Sequence, residues 1–321
     1  MSQITREIRE IAYGLLRDGK VRVVIGFKNG SLLLRSRPCF IREESDVKQL
    51  VWNGYCENNL SKYLPKRKES IAIVTKGCDA RAIVELIKEN QIMREQLFII
   101  GIDCNGIVDR RLVENVMGNE SIVAVKEGDE ILTVKGSNSE KILNRHEFLY
   151  EHCKVCTHPV PVIYDILLAE KKLQRLQAPL IDTFSDVENF SYLGNEERWK
   201  YISKEISKCI RCYACRNACP MCYCPECFTD ASKPQWVGKS KDLSDTAIFH
   251  LMRAFHLAGR CTGCGSCEQA CPMGVDIRKL NRKLQKDVID LFHYEAGCST
   301  EEITPLATFK INDPQSFMVE P

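Results

Sequence analysis

Residues 209–220 have the sequence CIRCYACRNACP, and residues 261–272 repeat the same cysteine spacing as CTGCGSCEQACP. Both copies follow the pattern C-x2-C-x2-C-x3-C-P. In this pattern three cysteines bind one [4Fe–4S] cluster, and the fourth binds the neighbouring cluster. The repeat therefore predicts a ferredoxin-like domain that holds two [4Fe–4S] clusters.

Each predicted cluster draws on both copies, because the fourth cysteine of each copy crosses to the other cluster. Structural zinc is the alternative, but zinc sites usually combine two separated cysteine pairs in a tetrahedron. Three closely spaced cysteines followed by Cys-Pro favour iron and sulfide, and therefore electron transfer. The predicted ligand sets are Cys209, Cys212, Cys215 and Cys271 for the first cluster, and Cys261, Cys264, Cys267 and Cys219 for the second.

The composition is that of an ordinary globular protein with two or three domains. The chain has 321 residues, 44% of them hydrophobic and 27% charged, and its formal net charge of +2 gives no sign of nucleic-acid binding. No apolar run reaches the length of a membrane span, and the N-terminus lacks the apolar core of a secretory signal. Eighteen cysteines in metal-ligand spacing, without such a signal, predict the reducing cytoplasm of an anaerobe.

The predicted ferredoxin-like region is locally basic. Residues 206–290 contain 13 Lys and Arg but only 8 Asp and Glu. An oxidised cluster with four thiolates carries a charge of about −2, so this excess would partly balance two clusters and favour their reduction. A solvated basic face is the alternative explanation, and the composition does not decide between them.

The N-terminal half has the pattern of an α/β domain. A buried strand, a glycine-containing turn, a helix and another strand follow one another in residues 71–102, and this βαβ unit predicts a parallel sheet. The predicted elements are helices at 4–18, 162–176, 195–208 and 245–257, strands at 21–26, 31–35, 71–75 and 96–102, a hairpin at 121–136, and an irregular segment at 177–193.

These elements predict an α/β N-terminal domain with a parallel sheet, followed by a ferredoxin-like dicluster domain with flanking helices. The predicted boundaries are 1–170 for the α/β cluster-binding domain, 171–205 for a helical connector, 206–293 for the dicluster domain and 294–321 for an extended tail.

A second group of cysteines follows the predicted parallel strands. Cys78 and Cys104 each come just after the carboxyl end of a strand, the edge at which open α/β sheets bind ligands. Cys153 and Cys156 form a C-x2-C pair after the hairpin and would complete a four-thiolate site. Spacing alone leaves this site open against ordinary buried core cysteines.

Three segments resemble the beta-subunit family of coenzyme F420 (deazaflavin) hydrogenases and formate dehydrogenases. They are KGCDARAIV at 76–84, IIGIDC at 99–104 and CKVC at 153–156. In that family a strand-end cysteine begins a helix, a second cysteine follows a Gly-Ile/Leu strand, and a C-x2-C pair completes a cluster. The resemblance covers mainly residues 70–165. It implies a third [4Fe–4S] cluster at Cys78, Cys104, Cys153 and Cys156.

The family also binds FAD and exchanges electrons with a deazaflavin coenzyme, so the resemblance raises FAD as a further expectation. This chain departs from the family in two places. Thr75-Lys-Gly-Cys-Asp79 stands where members often have Gly-x-Pro-Cys-Gln, and Thr157-His-Pro-Val-Pro161 replaces a Gly-Asp-rich continuation. A shortened flavin domain is therefore expected. Chains of this build resemble subunits that accompany formate dehydrogenase, hydrogenase or heterodisulfide-reductase-type proteins, which implies partners in a redox complex.

A third cysteine group follows the first motif directly. Cys222, Cys224 and Cys227 would either hold an additional metal, with Cys298, Cys56 or Cys39 as fourth ligand, or pack around the predicted clusters.

The histidines flank the cysteine motifs, and packing or solvent-facing roles are favoured over ligation for each. They are His152, His158, His250 and His256. No G-x-G-x-x-G fingerprint supports nicotinamide binding, and no catalytic nucleophile constellation stands out. Three functions follow in order of preference: an iron–sulfur electron-transfer subunit of an anaerobic oxidoreductase complex, an FAD-dependent oxidoreductase acting on a deazaflavin coenzyme, and a cluster-stabilised assembly scaffold without redox traffic.

Overall fold

The computed structural model describes residues 2–169 and 184–305, together with residues 308 and 311. In this part of the chain the contacts define two compact units. The first contains the described residues up to 80 and those from 90 to 169, and the second contains residues 81–89 and the described residues from 184 onward. Two thirds of one helix, from residue 81 to residue 88, therefore belong to the second unit, a division that the sequence does not reveal.

The strands and helices of the first unit are β1 (Val23–Asn29), β2 (Ser36–Ile41), β3 (Ile71–Thr75), β4 (Leu97–Ile102), β5 (Ile122–Glu127), β6 (Ile131–Gly136), β7 (Glu140–Asn144), β8 (Ile166–Leu168), α1 (Gln3–Arg17), α2 (Gly77–Lys88, shared with the second unit), α3 (Arg110–Met117) and α4 (Glu151–Lys154). Short 3-10 helices lie at Glu44–Gln49, Leu60–Tyr63, Arg94–Gln96 and Arg145–Phe148.

Five of the described strands form a mixed sheet in the order β2-β1-β3-β4-β8. Only β2 runs antiparallel to its neighbour, while β1, β3, β4 and β8 are parallel. All five residues of β3 are buried, as expected for a parallel strand that is covered on both faces. The α/β domain with a parallel sheet is confirmed.

Helix α1 covers part of this sheet with an apolar face. Ile4, Ile8 and Leu15 recur at helical spacing and are buried, and α1 contacts β1 and β3. The helix begins where the Ser2 hydroxyl accepts a hydrogen bond from the Thr5 N–H at 3.2 Å, which satisfies one N-terminal donor. In the same unit, β5, β6 and β7 form an antiparallel sheet that confirms the predicted hairpin.

Three local predictions are wrong. Residues 31–35 are not a strand, because Leu34 has a left-handed φ of 59° and the loop closes with a Gly30 N–H to Arg35 carbonyl bond of 2.8 Å. The helix expected at 162–176 is instead β8, which pairs with β4; residues 170–176 lie outside the described residues. Part of the segment expected to be irregular is helical at Ser185–Ser191, and 177–183 also lie outside the described residues.

The second unit is helical in the described residues. Its helices, besides residues 81–88 of α2, are α5 (Ser185–Ser191), α6 (Asn195–Ser207), α7 (Ala214–Ala218), α8 (Leu243–His256), α9 (Ser266–Gln269) and α10 (Arg278–Phe292). Helix α8 packs on α6 and α10, and the two short helices that carry the third cysteine of each motif, α7 and α9, pack on each other. The ferredoxin-like dicluster domain with flanking helices is confirmed. Among the described residues no helix combines the length and apolar composition needed to cross a membrane.

Candidate metal centres

The two cysteine motifs follow the same backbone path between their first and third cysteines. Arg211 and Tyr213 have φ values of 57° and 59°, and the equivalent Gly263 and Gly265 both have 67°. The turn brings a backbone donor to the first sulfur of each motif: the Arg211 N–H donates to Cys209 Sγ at 3.4 Å, and the Gly263 N–H donates to Cys261. Both loops therefore present their cysteines in the same way.

The first predicted ligand set lines one cleft in the second unit. Cys209, Cys212, Cys215 and Cys271 share this cleft, which is partly open to solvent, with apolar side chains such as Phe249 and Ile277. Burial is the main cause that raises the pKa of Cys209, followed by its thiol neighbours Cys271 and Cys212. The structure thus brings Cys271 of the second motif to three cysteines of the first. Cys212 is exposed, whereas Cys215 is buried.

The second predicted set is also brought together across the motifs. Burial raises the pKa of Cys267, and the thiols of Cys219, Cys261 and Cys264 add to this rise. Burial likewise raises the pKa of Cys261 to about 12, with Cys264 and Cys219 contributing. Four thiolates in one place would repel one another, so the donor set suits a cationic iron–sulfur core that binds them in the deprotonated form.

Each ligand set has hydrogen-bond donors beyond its own motif. His250 on α8 places Nε2 3.3 Å from Cys209 Sγ, and the Val275 N–H donates to Cys271 Sγ at 3.3 Å. The Asn281 side chain on α10 donates to Cys267 Sγ at 3.7 Å. Such contacts orient cysteine ligands and influence the potential of a cluster.

A third group of thiols lies at the carboxyl edge of the parallel sheet in the first unit. Strands β3 and β4 are adjacent and parallel, with Thr75 opposite Gly101, so Cys78 and Cys104 follow neighbouring strand ends. The pKa of Cys104 is raised to about 12, mainly by burial and then by the nearby thiols of Cys153 and Cys156. This edge is where open α/β sheets bind ligands.

The C-x2-C segment is held against this edge by close backbone packing. The Cys104 N–H donates to the Pro159 carbonyl at 3.2 Å, and the Ile107 N–H donates to Cys153 Sγ at 3.4 Å. A Cβ at Gly77 would lie 1.9 Å from the His158 carbonyl oxygen, so only glycine permits this approach. The glycine of the Lys-Gly-Cys segment therefore allows the C-x2-C segment to lie close to Cys78 and Cys104.

Lys76 supplies a buried positive charge beside this group. It is 3% exposed, pairs with Asp79 at 3.1 Å and donates to the Cys56 and Asn58 carbonyls. Burial would lower the pKa of Lys76, but Asp79, Cys78, Cys104 and Cys56 raise it overall. The positive charge of Lys76 partly offsets the burial that raises the pKa of Cys104, and a cation beside Cys78 and Cys104 would balance part of the charge of thiolate ligands.

The remaining candidates have different surroundings. Cys227 accepts a hydrogen bond from the Thr229 hydroxyl at 3.3 Å and interacts with Arg216, whereas Cys222 lies near Arg253. The additional metal at Cys222, Cys224 and Cys227 stays a prediction.

The four predicted histidines also have different surroundings. Besides His250, His152 is placed beside a thiol: burial would raise the pKa of Cys153, but His152 lowers it overall. His256 packs on Phe228 with ring centroids 4.8 Å apart, and the His158 side chain lies 2.9 Å from the Thr157 hydroxyl.

Two family models match separate parts of the chain. Residues 68–175 match the family described as the C terminus of the coenzyme F420 hydrogenase/dehydrogenase beta subunit, and residues 205–275 match the 4Fe-4S dicluster domain. The chain carries both of these domains. The resemblance inferred from the three cysteine segments is thereby confirmed, and the second domain is of a kind that holds [4Fe–4S] clusters.

Relatives extend the likeness over most of the chain. The chain is 27% identical over 346 residues to the F420-dependent formate dehydrogenase subunit beta of Methanocaldococcus jannaschii, covering 88% of this chain and 89% of the relative. It is 25% identical over 349 residues to F420-dependent formate dehydrogenase 1 subunit beta of Methanococcus maripaludis, covering 89% of each. A chain from the xenon-derivatised F420-reducing [NiFe] hydrogenase complex of Methanosarcina barkeri is 14% identical, with a TM-score of 0.37, covering 47% of this chain and 58% of that chain.

Sequence reasoning missed the buried cations near the thiols. Arg211 and Arg253 are 7% and 4% exposed, and Lys76 is 3% exposed. The sequence pattern of α8 could have indicated the buried position of Arg253. This residue is the lone arginine on a helical face that also carries Ala247, Phe249, His250 and Ala254. A charged residue on an otherwise buried face indicates a counter-charge that the helix itself does not supply.

Proposed function

We propose that this chain is an iron–sulfur electron-transfer subunit of an oxidoreductase complex of the formate dehydrogenase or hydrogenase type. The main support is the interleaving of the two motifs, which brings Cys271 to the first ligand set and Cys219 to the second. When bound, [4Fe–4S] clusters exchange single electrons. The ligands that we propose are the eight cysteines of these two sets.

A third [4Fe–4S] cluster at Cys78, Cys104, Cys153 and Cys156 is the finer part of the proposal. Two neighbouring strand ends, the close approach at Gly77 and the buried Lys76 support it. In this role the first unit binds its cluster at the sheet edge, and Lys76 balances part of the thiolate charge. We expect partner subunits in a redox complex of the formate dehydrogenase or hydrogenase type. We also expect a cytoplasmic location, because reduced thiols persist there.

Iron and sulfide quantification after purification without oxygen tests both parts of the proposal. We expect about twelve irons in the unaltered chain, because each [4Fe–4S] cluster contributes four. Cys104→Ser is expected to lower the iron content to about eight, and to leave the two clusters of the second unit reducible by dithionite. The matched control is Cys39→Ala, a buried thiol on β2 outside all three ligand sets, which should retain all the iron.

About eight irons in the unaltered chain, unchanged by Cys104→Ser, would remove the third cluster and leave the electron-transfer role standing. Zinc in place of iron would remove the whole proposal. Intact clusters that resist dithionite, with partner activity unchanged when they are lost, would favour the assembly scaffold.

A second candidate function is an FAD-dependent oxidoreductase that acts on a deazaflavin coenzyme. The F420 hydrogenase/dehydrogenase beta-subunit match over residues 68–175 favours it. Stoichiometric flavin in the purified chain, together with turnover of the deazaflavin coenzyme, distinguishes this function from pure electron transfer. Flavin-free protein that still supports electron transfer in its complex would reject it.

A further inference from the structure

Arg253 lies inside the second unit without a carboxylate partner. Its side chain on α8 is 4% exposed, and among the described residues it forms no ion pair with Asp or Glu. A terminal guanidinium nitrogen donates to the Cys215 carbonyl at 3.3 Å, and Nε has no hydrogen-bond partner in the described structure. A buried charge in such surroundings is strongly unfavourable unless an opposite charge lies nearby.

The thiols around Arg253 include members of both ligand sets. Burial would lower its pKa, but Cys267, Cys219, Cys215 and Cys222 raise it overall. Cys215 belongs to the first set, whereas Cys267 and Cys219 belong to the second. Arg253 also lowers the pKa of Cys261 against the larger effect of burial. The guanidinium is therefore adjacent to both groups of thiolates.

Arg211 provides a contrast, because its charge acts on a thiol of the first set: it lowers the pKa of Cys209 against the larger effect of burial. It is 7% exposed, its backbone N–H donates to Cys209 Sγ at 3.4 Å, and its guanidinium lies 5.1 Å from the Phe249 ring centroid. Its side chain donates to the Gly238 carbonyl at 3.1 Å, while Nε and one terminal nitrogen lack partners in the described structure. It too forms no ion pair with a carboxylate in the described part of the chain.

We propose that Arg253 is a shared counter-cation that raises the reduction potentials of both clusters in the second unit, whereas Arg211 raises only that of the cluster bound by Cys209. This inference rests on the ligand assignment of the proposed function. Reduction adds one negative charge to a cluster, and a nearby fixed positive charge stabilises the reduced form more than the oxidised form. Arg253 supplies only a nearby positive charge and does not bind either cluster.

The test is a potentiometric titration followed by EPR, using the full chain purified without oxygen. We expect Arg253→Gln to lower the reduction equilibrium constants of both clusters at least tenfold, which is a shift of about 59 mV for one electron. Arg211→Gln should lower one of them and leave the other unchanged. Arg253→Lys retains the charge and should remain within threefold of the unaltered chain for both clusters.

The outcomes separate this inference from the proposed function. An unaltered chain without EPR-active clusters would remove the proposed function itself. Intact clusters whose equilibrium constants are unmoved by Arg253→Gln, or moved for one cluster only, would overturn the shared role alone. If Arg253→Gln does not retain its clusters, Arg253→Lys decides: retention with near-normal potentials supports the charge role, and loss of the clusters or a tenfold shift overturns it.

Discussion

The two cysteine motifs share one backbone path but differ in the residues that form it. Gly263 and Gly265 occupy left-handed conformations without strain, whereas Arg211 and Tyr213 occupy the same conformations at roughly 1–2 kcal/mol each. The first motif offsets this with side-chain contacts, since Tyr213 packs edge-on against Phe249 at 5.3 Å. The shared spacing thus sets the loop, and the residues between the cysteines set the charge around it.

Removing the fourth cysteine of either motif should have the largest effect, because this cysteine is expected to bind the cluster of the other motif. We expect Cys271→Ser to abolish the EPR signal that Cys212→Ser abolishes, because both residues belong to the first set. Cys219→Ser should instead abolish the signal that Cys264→Ser abolishes. EPR of the four reduced variants makes the comparison. Pairing of Cys271→Ser with Cys264→Ser would mean that each motif binds its own cluster.

An added side chain in the second motif should have an intermediate effect. Gly263 has φ +67°, and a Cβ there would lie 3.3 Å from the Gln285 amide nitrogen, which donates to the Cys261 carbonyl. Gly263→Ala should therefore lower the free energy of unfolding by about 1–2 kcal/mol. The measurement is the thermal midpoint of the cluster-loaded protein. Gly14→Ala in α1, where a Cβ meets nothing within 4 Å, is the control and should raise stability by about 1 kcal/mol. An unchanged midpoint for Gly263→Ala would refute the conformational argument.

Loss of the His250 contact should have the smallest effect and should be confined to the first cluster. His250 Nε2 lies 3.3 Å from Cys209 Sγ. We expect His250→Phe to make reduction of that cluster less favourable by at most about 1 kcal/mol, the net value of one hydrogen bond. Potentiometric EPR measures the change. His256→Phe on the same helix is the control, because His256 packs on Phe228. Equal shifts in both clusters would contradict the local effect.

The sequence predicts those features that depend on spacing or periodicity. The cysteine spacing leads to the two ligand sets that we propose, and the apolar runs at 71–75 and 97–102 lead to the parallel strands. Long-range contacts account for the misses. Strand β8 exists because Ile166–Leu168 pairs with β4, which local pattern cannot show for three residues. The burial of Arg211 and Arg253 likewise depends on how α8 packs.

The central claim is that this chain holds [4Fe–4S] clusters on interleaved cysteines and exchanges electrons through them. Mössbauer spectroscopy of iron-57-labelled chain, purified without oxygen and compared before and after dithionite, tests it most directly. The account predicts that nearly all the iron has the spectrum of oxidised [4Fe–4S] clusters and changes on reduction. Mononuclear iron, zinc in place of iron, or a cluster spectrum that dithionite leaves unchanged would contradict it.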